Sequence, residues 1–294
     1  MSNNSWRHHY IPQFYLNGFT NEYGSFKIYD VENKRFIKNG QDFHPSQYFF
    51  EENANTITIS KTQESNDKLE DWYSKDDNRI AEVFARINTF STKNLIDKDI
   101  AKLEYFIGGL YWRIPTNFNN LCKLVATKKL KELGIVIRDD LGNIRDDSYL
   151  ENEFKSNEIE AFTKFIKIYY PAIGYYENIM NNVEANIITF IGELPSICSD
   201  NPILILNPSS FRVYRDEYIF PLDNKHVFFR GQLKPFLNTL KYEIDILTMK
   251  QATKYVSCTD ISYLDFLENI FKEKYKTIQN LREHLFNEVF SLRS

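Results

Sequence analysis

At 294 residues, with 43% hydrophobic and 16% aromatic side chains, the chain is long enough to bury a substantial core and too apolar for wholesale disorder. Its 36 basic and 40 acidic residues leave a net charge of −4, which excludes an overall basic footprint and confines any polyanion to a local patch. Cys122, Cys198 and Cys258 have neither CxxC nor zinc spacing and read as free thiols of a reducing compartment.

No apolar run approaches the roughly 20 residues of a membrane span. The opening MSNNSWRHHY lacks a secretory core, so a cytoplasmic location without membrane association is expected. Taken in chain order, Pro12 opens a short helix over residues 11–19, at a position where its missing N–H costs nothing, and Gly18 lies near its end. FKIYDV and RFIK, joined by the polar Glu32-Asn33-Lys34, predict a hairpin over 25–38, and ITIS at 57–60 a further short strand. Over 66–88, Leu69, Tyr73, Ile80, Phe84 and Ile87 fall on one side of an amphipathic helix. In the next helix Ile96, Ile100, Leu103, Ile107, Leu110 and Ile114 step by four and three. Asp97 and Asp99 suit its dipole at the start, and Pro115 interrupts it.

Helix is predicted again over 117–133 and 150–168, with GIVIRDDLGNIRDD between them as a small hairpin or exposed loop. From residue 186, IITFIG, LPSICS, PILIL, YIFPL and HVFFR read as short antiparallel strands. Helices near 238–253 and 260–292 close the chain. Strands at both ends and helices in the middle, without βα alternation, give an α+β class. The expected architecture is one domain over 1–294 with a helical insertion around 66–170. Its mostly antiparallel small sheet is formed by the N-terminal hairpin and strands of the C-terminal half.

The most specific signal is RHHYIPQFYLNGF, from Arg7 to Phe19. His8-His9-Tyr10-Ile11-Pro12, followed by Phe14, Tyr15, Leu16 and Phe19, resembles the opening of a bacterial family, domain-of-unknown-function family 4238. The family pattern continues with a helix bearing acids, an Arg-x-Pro, a Ser-Asp-Asn-Pro turn and a Pro-Leu. This chain supplies Glu70, Arg113-Ile114-Pro115, Ser199-Asp200-Asn201-Pro202 and Pro221-Leu222 in that order. Where the family helix often carries a second Glu, Asp77 keeps the charge and shortens the reach. The resemblance implies a fold and candidate positions, and no reaction.

His8 and His9 can serve as acid, base or ligand. As neighbours in an extended segment they point in opposite directions, so one is expected to face a site while the other packs. The alternative is that both only tie the chain entry to the fold. Glu70 and Asp77, seven apart on one helix, share a face at the edge of the apolar stripe and could move protons or hold a divalent metal, or simply flank the helix in an ion pair. Arg113 suits a phosphate or an internal carboxylate partner. Asp200 either closes a turn or orients a histidine. Tyr10 and Asn201 are further substrate-binding candidates.

Lys123, Lys128, Lys129 and Lys131 form a basic stretch able to meet phosphates or to remain a solvated face. His44, His226 and His284 lack ligand spacing, and P-loop, GxGxxG, HExxH and GxSxG motifs are absent. Two functions are therefore carried forward. One is a nuclease-like, phosphodiester-cleaving effector, in a defence or toxin setting, with a His/acid/Arg site acting on nucleic acid. The other is a non-catalytic module that binds a partner protein and whose polar motifs hold the fold.

Overall fold

The computed structural model describes residues 6–291 except 60–61, 63, 90–96, 134, 146–147, 169–183, 210–211 and 214. The class is α+β with antiparallel sheets. The N-terminal part comprises β1 (Arg7–His9), α1 (Gln13–Leu16), β2 (Phe26–Asp30), β3 (Arg35–Phe36), β4 (Asp42–Phe43), β5 (Phe50–Glu52), β6 (Ile57–Ile59) and β7 (Glu64–Asn66). The helical middle holds α2 (Lys68–Thr89), α3 (Asp97–Arg113), α4 (Pro115–Thr127), the small hairpin β8 (Ile137–Arg138) and β9 (Ile144–Arg145), α5 (Ser148–Asn157) and α6 (159–168). There follow β10 (Ala185–Thr189), β11 (Ile197–Ser199), β12 (Leu204–Ile205), β13 (Tyr218–Pro221), β14 (His226–Arg230), α7 (Leu240–Lys250), β15 (Tyr255–Cys258), α8 (Ile261–Lys274) and α9 (Ile278–Val289).

Among the described residues the antiparallel strands form two larger sheets and three two-stranded ribbons, β1-β5, β6-β7 and β8-β9. The N-terminal hairpin does join C-terminal strands, in the order β11-β15-β2-β3 with β4 also on β2. Cys198 lies opposite Ser257, and Ser257 opposite Ile28. The second larger sheet is β10-β14-β13-β12, with Ile187 and Phe220 flanking Phe228. Two sheets allow two apolar interiors. One is shared by the N-terminal aromatics, α2, α3 and the inner face of β13 and β14. The other lies among α7, α8, α9 and the opposite strand faces, where Phe229 and Val227 alternate with Phe228.

Several boundaries differ from the periodic reading for local reasons. α4 starts at Pro115 itself, which occupies a first-turn position, and ends at Thr127 before a 3-10 turn over Leu130–Leu133. The stretch 150–168 is broken at Glu158. The closing helices are three: α8 ends at Lys274, and Thr277 caps α9 by accepting from the Asn280 N–H. Strands β1, β5 and β15 are too short to show a period. Ile96, Ser60, Gly134, Asp146, Asp147 and Leu292, which enter the predicted elements, lie outside the described residues.

The aromatic run after Pro12 is a core anchor. Tyr15 is fully buried, stacks on Phe220 at 5.1 Å and 18°, and donates its hydroxyl to the Pro221 carbonyl at 2.8 Å. Phe14 packs on Phe84 and Phe106, so this short turn joins α2 and α3 to β13. Tyr15→Phe, which removes only the buried hydroxyl, is expected to cost about 1 kcal/mol. Tyr15→Ala should cost about 3–5 kcal/mol through the cavity it leaves. Both are read from urea unfolding.

Candidate functional site

Alternation along β1 separates the two histidines. His8 is buried and its Nδ1 accepts the Asn55 backbone N–H at 2.9 Å, which places the ring proton on Nε2. The His9 ring packs against Phe50 at 5.7 Å, and its Nε2 is buried without a partner. Burial is the main reason the His9 pKa falls to about 4. The Pro45 and Ser46 backbone opposes the fall and Arg113 adds to it. Neither ring hydrogen-bonds Glu70 or Asp77 among the described contacts. His8 reaches Glu70 only through Asn55, and His9 contributes its backbone carbonyl.

That carbonyl is one of three partners of Arg113. The last residue of α3 donates Nη1 to Asp77 Oδ1 at 2.7 Å, and Nη2 to Asp77 Oδ2 at 3.2 Å and to the His9 oxygen at 2.9 Å. Its guanidinium also lies 4.4 Å from the ring centre of Tyr73. Burial alone would lower the Arg113 pKa, but Asp77 more than offsets it and the group stays charged. Asp77 and Tyr73 are one helical turn apart on α2, so the helix presents a carboxylate and a ring to one cation. The Tyr73 hydroxyl and Arg113 Nε are buried without partners.

Asn55 is the second hub. Its Nδ2 donates to Glu70 Oε2 at 2.6 Å, and its Oδ1 accepts from Lys167 Nζ at 3.1 Å. Lys167, on α6, is buried with its ammonium 4.7 Å from the Phe118 ring centre and 5.6 Å from that of Tyr73. Desolvation first, then Arg113 and Lys164, bring its pKa down to about 7, against a smaller opposing pull from Glu70. Lys164, one turn earlier, donates to the Thr56 carbonyl at 2.9 Å. Lys167, Asn55 and Tyr73 were absent from the sequence-based set. The available signal was a lysine set between Ile166 and Ile168, which local sequence does not distinguish from a solvated one.

The remaining predicted residues sit elsewhere. The Asp200 carboxylate accepts from Thr253 N at 2.9 Å, Thr253 Oγ1 at 2.6 Å and Lys254 N at 2.7 Å, and does not turn to either histidine. Pairing of β11 with β15 brings residue 200 beside 253–255 and makes it a turn-closing group. Burial raises its pKa, opposed by these donors. Asn201 is joined to Gln251, donating Nδ2 to its carbonyl at 3.4 Å. Tyr10 is in the core against Phe49, its phenol pushed up by burial and then by Asp200. Lys123, Lys128, Lys129 and Lys131 are all solvent-exposed. Glu70 and Asp77 engage Asn55 and Arg113, and among the described residues no group of three His, Cys, Asp or Glu side chains is placed to hold a metal.

A groove of about 790 Å³ runs between α2 and α3, lined by Lys68, Lys75, Arg79, Lys98 and Lys102 with Asp71, Trp72 and Asp76. Behind it a cavity of about 30 Å³ is lined by Tyr73, Asp77, Arg113 and Lys167; Trp72, Asp76, Ile80 and Tyr105 border both. That volume admits about one water molecule. Groove and buried cluster therefore share a wall. Among the described residues no helix is long and apolar enough to cross a membrane.

The family model described as "Protein of unknown function (DUF4238)" matches residues 7–258, and the chain belongs to that family. No curated protein and no solved structure matches it.

Asp77→Asn leaves the Arg113 charge buried without its carboxylate and should cost about 3–5 kcal/mol in urea unfolding at neutral pH. A second outcome concerns acid. With the His9 pKa at about 4 folded and 6.5 otherwise, the unfolded chain holds a proton the native ring lacks between those values. This contribution therefore makes stability rise with pH from about 4 to 6.5, and the destabilisation is complete below about 4. Urea titrations of wild type and His9→Phe across that window should show a shallower slope in the variant.

Proposed function

We propose that this family member is a nuclease-like hydrolase that binds the phosphates of a nucleic acid in the groove between α2 and α3. The observation that carries the reading is the cationic groove backed by the Asp77–Arg113–Lys167 cluster. Five basic side chains against Asp71 and Asp76 make a local anion site on a chain whose overall charge is −4. In this reading the histidines are not the acid–base pair. Lys167, whose pKa sits at about 7, accepts the proton of a water in the small cavity. The water oxygen bonds to phosphorus as the P–O bond to the leaving oxygen breaks. Asp77 holds Arg113 in place, and His8, Asn55 and Glu70 position the Lys167 amine. A defence or toxin setting fits such an activity, and toxicity on expression is one of its readouts.

A second reading, a non-catalytic binding module, is favoured by one observation. The Arg113 fork is occupied by Asp77 and His9, and Asp200 by Thr253 and Lys254, as in polar groups that hold a fold.

The two separate in one assay, with labelled DNA and RNA incubated with wild type and Lys167→Met, with and without magnesium or manganese. Hydrolysis predicts cleavage that rises with pH through about 7, as the amine loses its proton, and falls at least 100-fold in Lys167→Met. Binding without cleavage supports the module. Absence of binding and cleavage overturns the use of the groove for nucleic acid.

A further inference from the structure

Resting on the nucleic-acid reading of the groove, we propose that its ligand is single-stranded and that Trp72 and Tyr105 are the surfaces on which the bases stack. Each wall carries cations and one aromatic ring. On α2, Lys68, Trp72, Lys75 and Arg79 recur at three- and four-residue steps and so face one way over about 16 Å. On α3, Lys98, Lys102 and Tyr105 do the same from the facing side. Each wall therefore offers charges for phosphates and one ring for a base, the combination that single-strand binding uses without reading sequence.

The rings are held by their edges. The Trp72 indole N–H donates to Asp76 Oδ2 at 2.9 Å, and the Tyr105 hydroxyl donates to the same oxygen at 3.5 Å. Asp76 thereby ties the edges of both rings to one carboxylate oxygen. Trp72 keeps 46% of its surface in solvent, unusual for so large an apolar side chain that already has its polar atom satisfied. Asp76 also pairs with Arg79 at 3.3 Å, which sets a guanidinium beside the indole.

Width argues in the same direction. α2 and α3 are packed neighbours, joined by Phe84 on Phe106 and by the Arg86–Asp99 ion pair. Packed helices lie about 8–10 Å apart between axes and touch along their seam, so the groove is a furrow on their surface, too narrow to seat a duplex. A duplex would meet only the outer lysines, with its bases already stacked inside. A single strand can enter, placing phosphates on the lysines and bases on Trp72 and Tyr105. Binding then has a part that salt removes and a part that it does not.

The test is fluorescence anisotropy with the full chain and a labelled oligothymidylate of about 12 nucleotides, its RNA counterpart, and a duplex of the same length. The single strands should bind at least tenfold more tightly than the duplex. Trp72→Ala should weaken single-strand binding about tenfold without altering the salt slope, and Trp72→Phe should restore most of it. Lys75→Glu/Lys102→Glu should weaken binding and reduce the salt slope. Circular dichroism spectra matching wild type confirm that these substitutions leave the fold intact. Equal affinity for duplex and single strand, or a Trp72→Ala variant that binds like wild type, overturns the stacking proposal and leaves the groove as a phosphate site. Loss of all binding in the wild type overturns the underlying reading as well.

Discussion

Arg113 has to recover, inside the protein, the hydrogen bonds and counter-charge that a guanidinium has in water. It does so from two distant parts of the chain: Asp77 and the Tyr73 ring, both of α2, and the His9 carbonyl of β1. Each partner is useful only if α2, α3 and β1 take one relative position. The ion pair is therefore a positional constraint as much as a source of stability. The β1–β5 ribbon, which would be marginal by itself, is fixed by this bond at the His9 carbonyl and by the Asn55 N–H on the neighbouring His8 ring.

Asn55 extends the constraint. One amide side chain donates to Glu70 and accepts from Lys167, so its orientation is determined by opposite charges on its two sides. That brings α6 into the same arrangement and leaves Lys167 buried between the Phe118 and Tyr73 rings. The surroundings of an amine so placed, burial first and then Arg113, lower its pKa to about 7. The polar network and the candidate chemistry are in this sense one structure: the contacts that seal the histidines are those that put Lys167 behind the groove.

The segment that marks the family serves mainly as an anchor. Ile11, Tyr15, Leu16 and Phe19 lie in the larger core, and Tyr15 fastens the segment to β13 by stacking and by its hydroxyl. His8 and His9 enter the site region through hydrogen bonds and a carbonyl, while the charged side chains there come from α2, α3 and α6.

The sequence by itself determined what depends on neighbours along the chain. Period and punctuation located α2, α3 and the 25–38 hairpin; Pro115 marked the break between α3 and α4; and alternation required the two histidines to diverge. Family membership and the Glu70, Asp77 and Arg113 positions were legible for the same reason. Tertiary structure decided whatever depended on which elements meet. The carboxylate of Asp200 went to Thr253 and Lys254 because β11 pairs with β15, a contact across about fifty residues that no local pattern encodes. Nothing in the sequence set Lys167 apart, because composition is blind to burial; only packing of α6 against α2 and the Asn55 loop removed its water and, with Arg113 alongside, its full charge.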